Sequence, residues 1–156
     1  MISSRLIVLP ILLAAAAAPV APALGQGPVN KADLKWGPGP AGLPKGAELV
    51  VLSGNPEQEG MFTIRLKFPA NYTVPPHFHP APELVTVIDG QLSLGMGDAI
   101  DKAKAANLGV GGYAVAPATM HHYAFTGSEG ATVQVTSHGP FKITYVNAGD
   151  DPRGAK

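Results

Sequence analysis

Two of the chain's five histidines, His77 and His79, stand one residue apart, and Glu83 follows four positions later in Pro75-Pro76-His77-Phe78-His79-Pro80-Ala81-Pro82-Glu83. Side chains alternate between faces along an extended backbone, so these odd-numbered residues share one side. Two imidazole nitrogens and a carboxylate oxygen on one face suit a borderline divalent cation such as Zn, Mn, Fe or Ni. A polar stripe facing water would have the same spacing. The setting favours the metal. Prolines restrict the histidine segment, the β-prone run Leu84-Val85-Thr86-Val87-Ile88 follows it, and an imidazole in such a strand needs a partner for each nitrogen.

A fourth donor has to come from elsewhere in the chain. Tyr113-Ala114-Val115-Ala116-Pro117-Ala118-Thr119-Met120-His121-His122-Tyr123-Ala124-Phe125 reads as strand, proline turn and strand, with two histidines at the exit of the turn. Extended neighbours cannot both face inward. His121 shares parity with apolar Tyr123 and Phe125, which places it toward a core, whereas His122 takes the other face.

These residues resemble the cupins. His77-x-His79, Glu83 and Gly90 follow the first cupin motif, with Asn71 where its leading glycine belongs. Gly111, Pro117 and His122 follow the second, with Thr119 in place of Gly and Thr126 in place of Asn. The resemblance covers roughly residues 47 to 147 and implies an all-β, single-domain jelly-roll (double-stranded β-helix) barrel. Its implied ligand set is His77, His79, Glu83 and His122, with His121 as the fallback for the last. The implied cofactor is one divalent metal ion, Mn, Fe, Ni, Cu or Zn, with positions left open for water or a small-molecule substrate. Cupin activities include dioxygenases, oxalate-degrading enzymes and isomerases, and some cupins only bind or sense small molecules. A homodimer is also implied by the resemblance alone.

The elements that must hold these donors follow from alternation and turn chemistry. Residues 48 to 52 and 61 to 68 read as strands, the second with Phe62, Ile64, Leu66 and Phe68 on one face and Thr63, Arg65 and Lys67 on the other. Asp89-Gly90 reads as a hairpin turn, with residues 91 to 96 returning. Residues 97 to 110 read as a solvated connection, and residues 131 to 136 and 141 to 147 as the last strands. Residues 148 to 156 read as a frayed tail. Residues 26 to 46 form a Gly- and Pro-punctuated N-terminal arm carrying Trp36, the only tryptophan, expected to pack on one face or end of the barrel.

Composition bounds the rest. Of 156 residues, 46% are hydrophobic and 14% charged, and Gly 19 with Pro 16 suits a turn-rich all-β domain better than a helical bundle. A formal net charge of +0 without a run of Lys or Arg argues against nucleic acid or an anionic membrane as partner. Arg5, an apolar stretch over residues 6 to 18 and the small residues Ala23-Leu24-Gly25 read as a cleaved signal peptide over 1–25, hence a periplasmic or secreted protein with no membrane contact after cleavage. Cys 0 leaves an exported domain to rely on its core rather than on disulfides.

The reading for function is an exported mononuclear metalloenzyme, dioxygenase- or isomerase-like, whose substrate is chelated at the metal. Its alternative is a non-catalytic metal- or small-molecule-binding module. Gln134, a polar amide in a β-run, and Tyr123 are the expected catalytic helpers. Tyr113, Met96, Met120, Phe78 and His138 are further candidates for lining a pocket. Arg65, the only arginine within the expected strands, alternates outward, which counts against an oxalate-type enzyme needing a cation to hold its acid.

Overall fold

The structure, a computed structural model, describes residues 27–154, so the expected signal peptide lies outside the described residues. Strand β3, Gly60–Phe68, shows the alternation read from its sequence: Phe62, Ile64, Leu66 and Phe68 are buried while Arg65 and Lys67 face out. In chain order the other strands are β1 (Gly37–Pro38), β2 (Glu48–Ser53), β4 (Thr73–Phe78), β5 (Glu83–Met96), β6 (Ala106–Leu108), β7 (Tyr113–Ala116), β8 (His122–Gly139) and β9 (Thr144–Tyr145). All pairings are antiparallel. One curled sheet runs β1-β2-β3-β8-β4-β9, and β5 pairs with β6, β7 and β8, closing a jelly-roll barrel around a single core.

The long strands β5 and β8 organise this closure. They pair along most of their length, and both are interrupted at the same level, where Gly90 meets Ala131 and Leu92 meets Thr126. Four residues of β8, 127 to 130, bulge out against one of β5 there. A second irregularity, the extra residue Ile88 between the pairs Val87–Val133 and Asp89–Thr132, flips the inward parity of β5, and residues 127 to 130 flip that of β8. In β5 the buried side chains that face inward are Glu83, Val85 and Val87 before it and Leu92 and Leu94 after it. In β8 the inward-facing ones are His122, Ala124 and Thr126 before it and Ala131, Val133, Val135 and Ser137 after it, and Tyr123 is buried on the opposite face. The N-terminal half of β8 pairs with β4 and its C-terminal half with β3, so the bend turns one strand into a shared corner of two facing layers.

Asp89-Gly90 is therefore not a hairpin turn, and residues 91 to 96 continue the same strand instead of returning. The left-handed backbone that makes Asp-Gly a hairpin signal, φ 70° at Gly90, serves the bulge equally well. A side chain at Gly90 would run into the Gly130 carbonyl across the pair. Two other expectations change as well. Part of the expected loop over 97–110 forms β6 on the edge of β5, and the tail carries a 3-10 turn, Ala148–Asp150, followed by a seated Arg153.

The arm is fastened to the barrel. β1 pairs with β2, the Tyr145 hydroxyl donates to the Gly42 carbonyl at 2.7 Å, and the Tyr72 hydroxyl donates to the Pro44 carbonyl. Trp36 packs on the outer face of β3, with the Lys67 ammonium 5.9 Å from its ring centre. Asn71 and Thr119, which stand where the motif glycines belong, keep the glycine conformation, with φ 56° and 62°. Asn tolerates this region, but a β-branched residue there is strained.

Replacing Gly90 with Ala should lower stability by about 1–3 kcal/mol in urea denaturation, because the added methyl meets backbone at a positive φ. Thr119→Gly should raise stability by about 1 kcal/mol, as relief of strain outweighs the extra freedom of the unfolded chain. A Gly90→Ala midpoint equal to wild type, or a destabilised Thr119→Gly, would contradict the strain assigned to these positions.

Candidate metal centre

Strand β4 ends in the proline-stiffened His77 segment, β5 opens on Glu83, and β8 opens on His122. His77 pairs directly with His122 across the β4–β8 ladder. All four side chains are buried, His122 to 1% exposure. One ring nitrogen from each of His77, His79 and His122 lies within 4.8 Å of the others. Glu83 Oε2 lies 3.3 Å from His122 Nε2 and 3.7 Å from His79 Nε2. Donors remote in sequence thus share one point on the inner wall.

Backbone carbonyls fix how the imidazoles present themselves. His77 Nδ1 meets the Pro75 carbonyl at 2.7 Å, His79 Nδ1 meets Lys142 at 2.7 Å, and His122 Nδ1 meets Met120 at 3.0 Å. A carbonyl only accepts, so each Nδ1 carries the hydrogen and each Nε2 presents a lone pair to the common point. Phe141 stacks on His79, ring centres 4.2 Å apart, and holds that ring from behind.

Among the described residues, His122 Nε2 is the one fully buried side-chain polar atom with no hydrogen-bond partner. The Glu83 carboxylate is within ion-pair distance of it but does not meet it in hydrogen-bonding geometry. A buried lone pair and a buried carboxylate with no cation nearby are both unfavourable. A divalent cation at their meeting point satisfies both at once, so the donor set fits a metal ion of the N/O-ligated type.

Burial sets the proton affinities. Desolvation, reinforced by His122 and His79, pushes His77 down to about 3. His79 is lowered as well, chiefly by desolvation. Burial pushes Glu83 up, but contact with His122 and the charges of the three histidines outweigh it and leave the carboxyl below its ordinary range. For His122 burial acts downward, yet the Glu83 carboxylate wins and the net direction is up.

Of the two histidines at the turn exit, the one facing the cluster is His122. His121 lies on the outer face, hydrogen-bonded through Nδ1 to Asp98 at 2.6 Å and stacked on Phe78. Tyr123 and Phe125, whose parity argued for His121, are covered from outside instead. The Tyr123 hydroxyl donates to the Asp101 carbonyl at 2.7 Å, and Lys102 sits over Phe125.

The expected helpers are corrected by the same geometry. Tyr123 is turned away from the centre under the 97–101 loop, and Gln134 sits on the outer face, where its Oε1 accepts from Arg65 Nε at 3.2 Å. None of Tyr113, Met96, Met120, Phe78 or His138 lines the cavity either.

What does line it is apolar. A cavity of about 360 Å³ opens beside the histidines between Ile64, Leu66, Val85, Leu94, Val133 and Val135. Its mouth is made by residues 40 to 43 of the arm, by Glu57 and Phe141, and by Lys142, Ile143 and Arg153. Sequence reasoning missed this rim. Phe141, Lys142 and Arg153 carry no motif, and only the closed barrel brings the arm and the tail together.

The chain matches the family of the ChrR Cupin-like domain over residues 26–142. A protein of Oryza sativa subsp. japonica provisionally named germin-like protein 9-2 is 32% identical over 94 residues, which is 55% of this chain and 44% of that one. The chain thus spans less than half the length of that relative. Among solved structures, the polyketide cyclase RemF from Streptomyces resistomycificus superposes with a TM-score of 0.64 at 20% identity, over 82% of this chain and 90% of that one. A candidate acetylacetone dioxygenase from Methylibium petroleiphilum gives 0.61 at 20% identity, over 85% and 89%. At these identities the two structures share the fold.

Protons compete with metal for the imidazoles. In protein stripped of metal, desolvation disfavours protonation of His77 and His79, whereas the Glu83 carboxylate favours it at His122. Adding metal at neutral pH should then release at most about one proton per site, not three, as read by calorimetry in buffers of different ionisation enthalpy. Because the unfolded chain's imidazoles titrate near about 6.5, the unfolded state takes up protons first on acidification. The stripped fold should lose stability as pH falls from about 6.5 toward about 3, the folded value of His77. Release of two or three protons would show that the buried histidines are not held neutral.

Proposed function

Because this chain belongs to the ChrR cupin-like domain family, we propose that it is a mononuclear metalloenzyme, dioxygenase- or isomerase-like, acting on a small organic ligand that reaches the metal through its oxygen atoms. The carrying observation is the apolar cavity of about 360 Å³ that opens directly beside the three histidines. A site built only to hold a metal needs no such space, whereas small-molecule pockets begin at about 300 Å³.

His77, His79, Glu83 and His122 would hold the ion, which when bound would supply Lewis-acid or electron-transfer chemistry. The chain's own contribution is otherwise positional. Carbonyls of Pro75, Met120 and Lys142 lock the ring orientations. The apolar wall excludes water, which strengthens every electrostatic contact inside. Export to the periplasm or beyond is part of the same proposal and is supported by the apolar stretch after Arg5 and by Ala23-Leu24-Gly25.

Protein purified without added metal should carry about one metal ion per chain, and His77→Ala or His122→Ala should lower that content at least tenfold with a fall in Tm. Wild type holding Fe, Mn or Cu should consume O₂ or convert enols, 1,3-diketones or phenolics. Zinc alone with no ligand uptake would leave a binding module and overturn the enzyme. Metal content unchanged in His77→Ala would overturn the centre itself.

A further inference from the structure

The sequence treats Arg153 as part of a tail, yet its guanidinium forms part of the cavity rim. It is held there by its own neighbours. Nε donates to Asp151 Oδ1 at 2.7 Å, and Nη2 donates to Asp151 Oδ2 at 2.6 Å and to the Ile143 carbonyl at 3.0 Å. The backbone N–H of Arg153 also donates to Asp151 Oδ1 at 3.0 Å. The remaining nitrogen, Nη1, makes no hydrogen bond among the described residues.

That free nitrogen faces the arm where the arm is thinnest. A side chain at Gly42 would collide with Ile143 and would lie 3.7 Å from Arg153 Nη1. Glycine at this point leaves room beside the guanidinium on the rim. A guanidinium keeps its charge at any ordinary pH, and one whose other edge is already clamped loses little freedom on binding an acceptor. Lys142 brings a second cation to the rim and Glu57 a single opposing carboxylate.

Among the described residues no further polar side chain lines the interior between rim and histidines, so an apolar ligand body fits there. Resting on the metal-centre reading above, we propose that the ligand carries a carboxylate at the end remote from its chelating oxygens, and that Arg153 Nη1 receives this carboxylate at the cavity mouth. Arg153 is then a specificity-determining residue as well as a tie between the tail and Ile143. Asp151 orients the fork and partly offsets its charge.

Two probes share one chelating head and differ in this end. Both 2,4-pentanedione and 4,6-dioxoheptanoate are 1,3-diketones, and only the second has a carboxylate. Titrated calorimetrically into metal-loaded wild type, the acid should bind about tenfold more tightly than the diketone, a difference of about 1.4 kcal/mol. Arg153→Gln should reduce that ratio to about one while leaving the affinity for 2,4-pentanedione and the metal content unchanged. Asp151→Asn keeps the guanidinium and removes its neutralising partner, so the ratio should hold or widen.

A ratio that survives in Arg153→Gln, or that is near one in wild type, overturns the assignment and leaves the metal centre standing. An equal loss of the ratio in Asp151→Asn would mean that the pair is a structural clasp, which also overturns it. If neither probe binds protein whose metal content is full, the chelating-ligand reading of the centre falls, and this inference with it.

Discussion

Everything in this barrel is arranged around a set of electron-pair donors buried on its inner wall. Three imidazoles and one carboxylate converge at a buried point, and one imidazole nitrogen has no partner there. Leaving such groups unsatisfied is unfavourable by several kcal/mol in total, since about 1–3 kcal/mol attaches to each buried polar group without a partner. The fold maintains this arrangement by hydrogen-bonding the far side of each ring to main-chain carbonyls. Those carbonyls belong to strand ends and turns that the barrel already needs. Ring orientation therefore costs about as little as any side-chain ordering can, and a cation that joins the four groups returns the lost electrostatic free energy as fold stability.

The barrel meets this demand by bending its two longest strands together. Had β5 and β8 run on without interruption, the parity that turns Glu83, Val85 and Val87 inward would have turned Gln91 and Ser93 inward as well. The extra residue Ile88 in β5 and residues 127 to 130 in β8 reset the alternation, so that Leu92, Leu94, Ala124 and His122 all face the same interior. His122 meets His77 on the β4–β8 ladder, in the half of β8 that precedes the irregularity. Gly90 is required beside that irregularity because the opposing Gly130 carbonyl leaves no room for a side chain.

The donors were legible because their chemistry is local. His77, His79 and Glu83 lie within seven residues of one another, and a single assumption, an extended backbone, was enough to place them on one face. The fourth donor was legible only through motif register, since apolar alternation pointed to His121. Alternation misled there because it assumes that one face of the strand is wet. Loop residues Asp101 and Lys102 cover the outer face, so Tyr123 is as buried there as any core residue. Gln134 reads as a helper for its polar amide, although the alternation of Val133 and Val135 turns it outward. Asp89-Gly90 misled for a different reason: positive φ is a property of the residue pair, and whether it serves a reversal or a bulge is decided by the partner strand. The tail could not be read at all, because Arg153 is seated by Ile143 and Asp151, and neither contact leaves a periodic trace in the sequence.

A lining this apolar also limits where selectivity can reside. Between the histidines and the rim a ligand meets Ile64, Leu66, Phe68, Val74, Val85, Leu92, Val133 and Val135 and no hydrogen-bonding side chain. Walls of that kind sort ligands weakly, because one methylene more or less is worth only about 1–3 kcal/mol. Polar contacts discriminate far more steeply, since a ligand that lacks the expected group leaves a buried donor or acceptor without a partner. In this cavity such contacts exist only at its two ends. The inner end is defined by four donors that the barrel itself positions. The outer end is built from the arm and the tail, which are tied on by Tyr145, Tyr72 and Arg153. The residues that make the centre are thus separate from those that frame its entrance, and a change of ligand would fall on the rim without disturbing the donors that gather the cation.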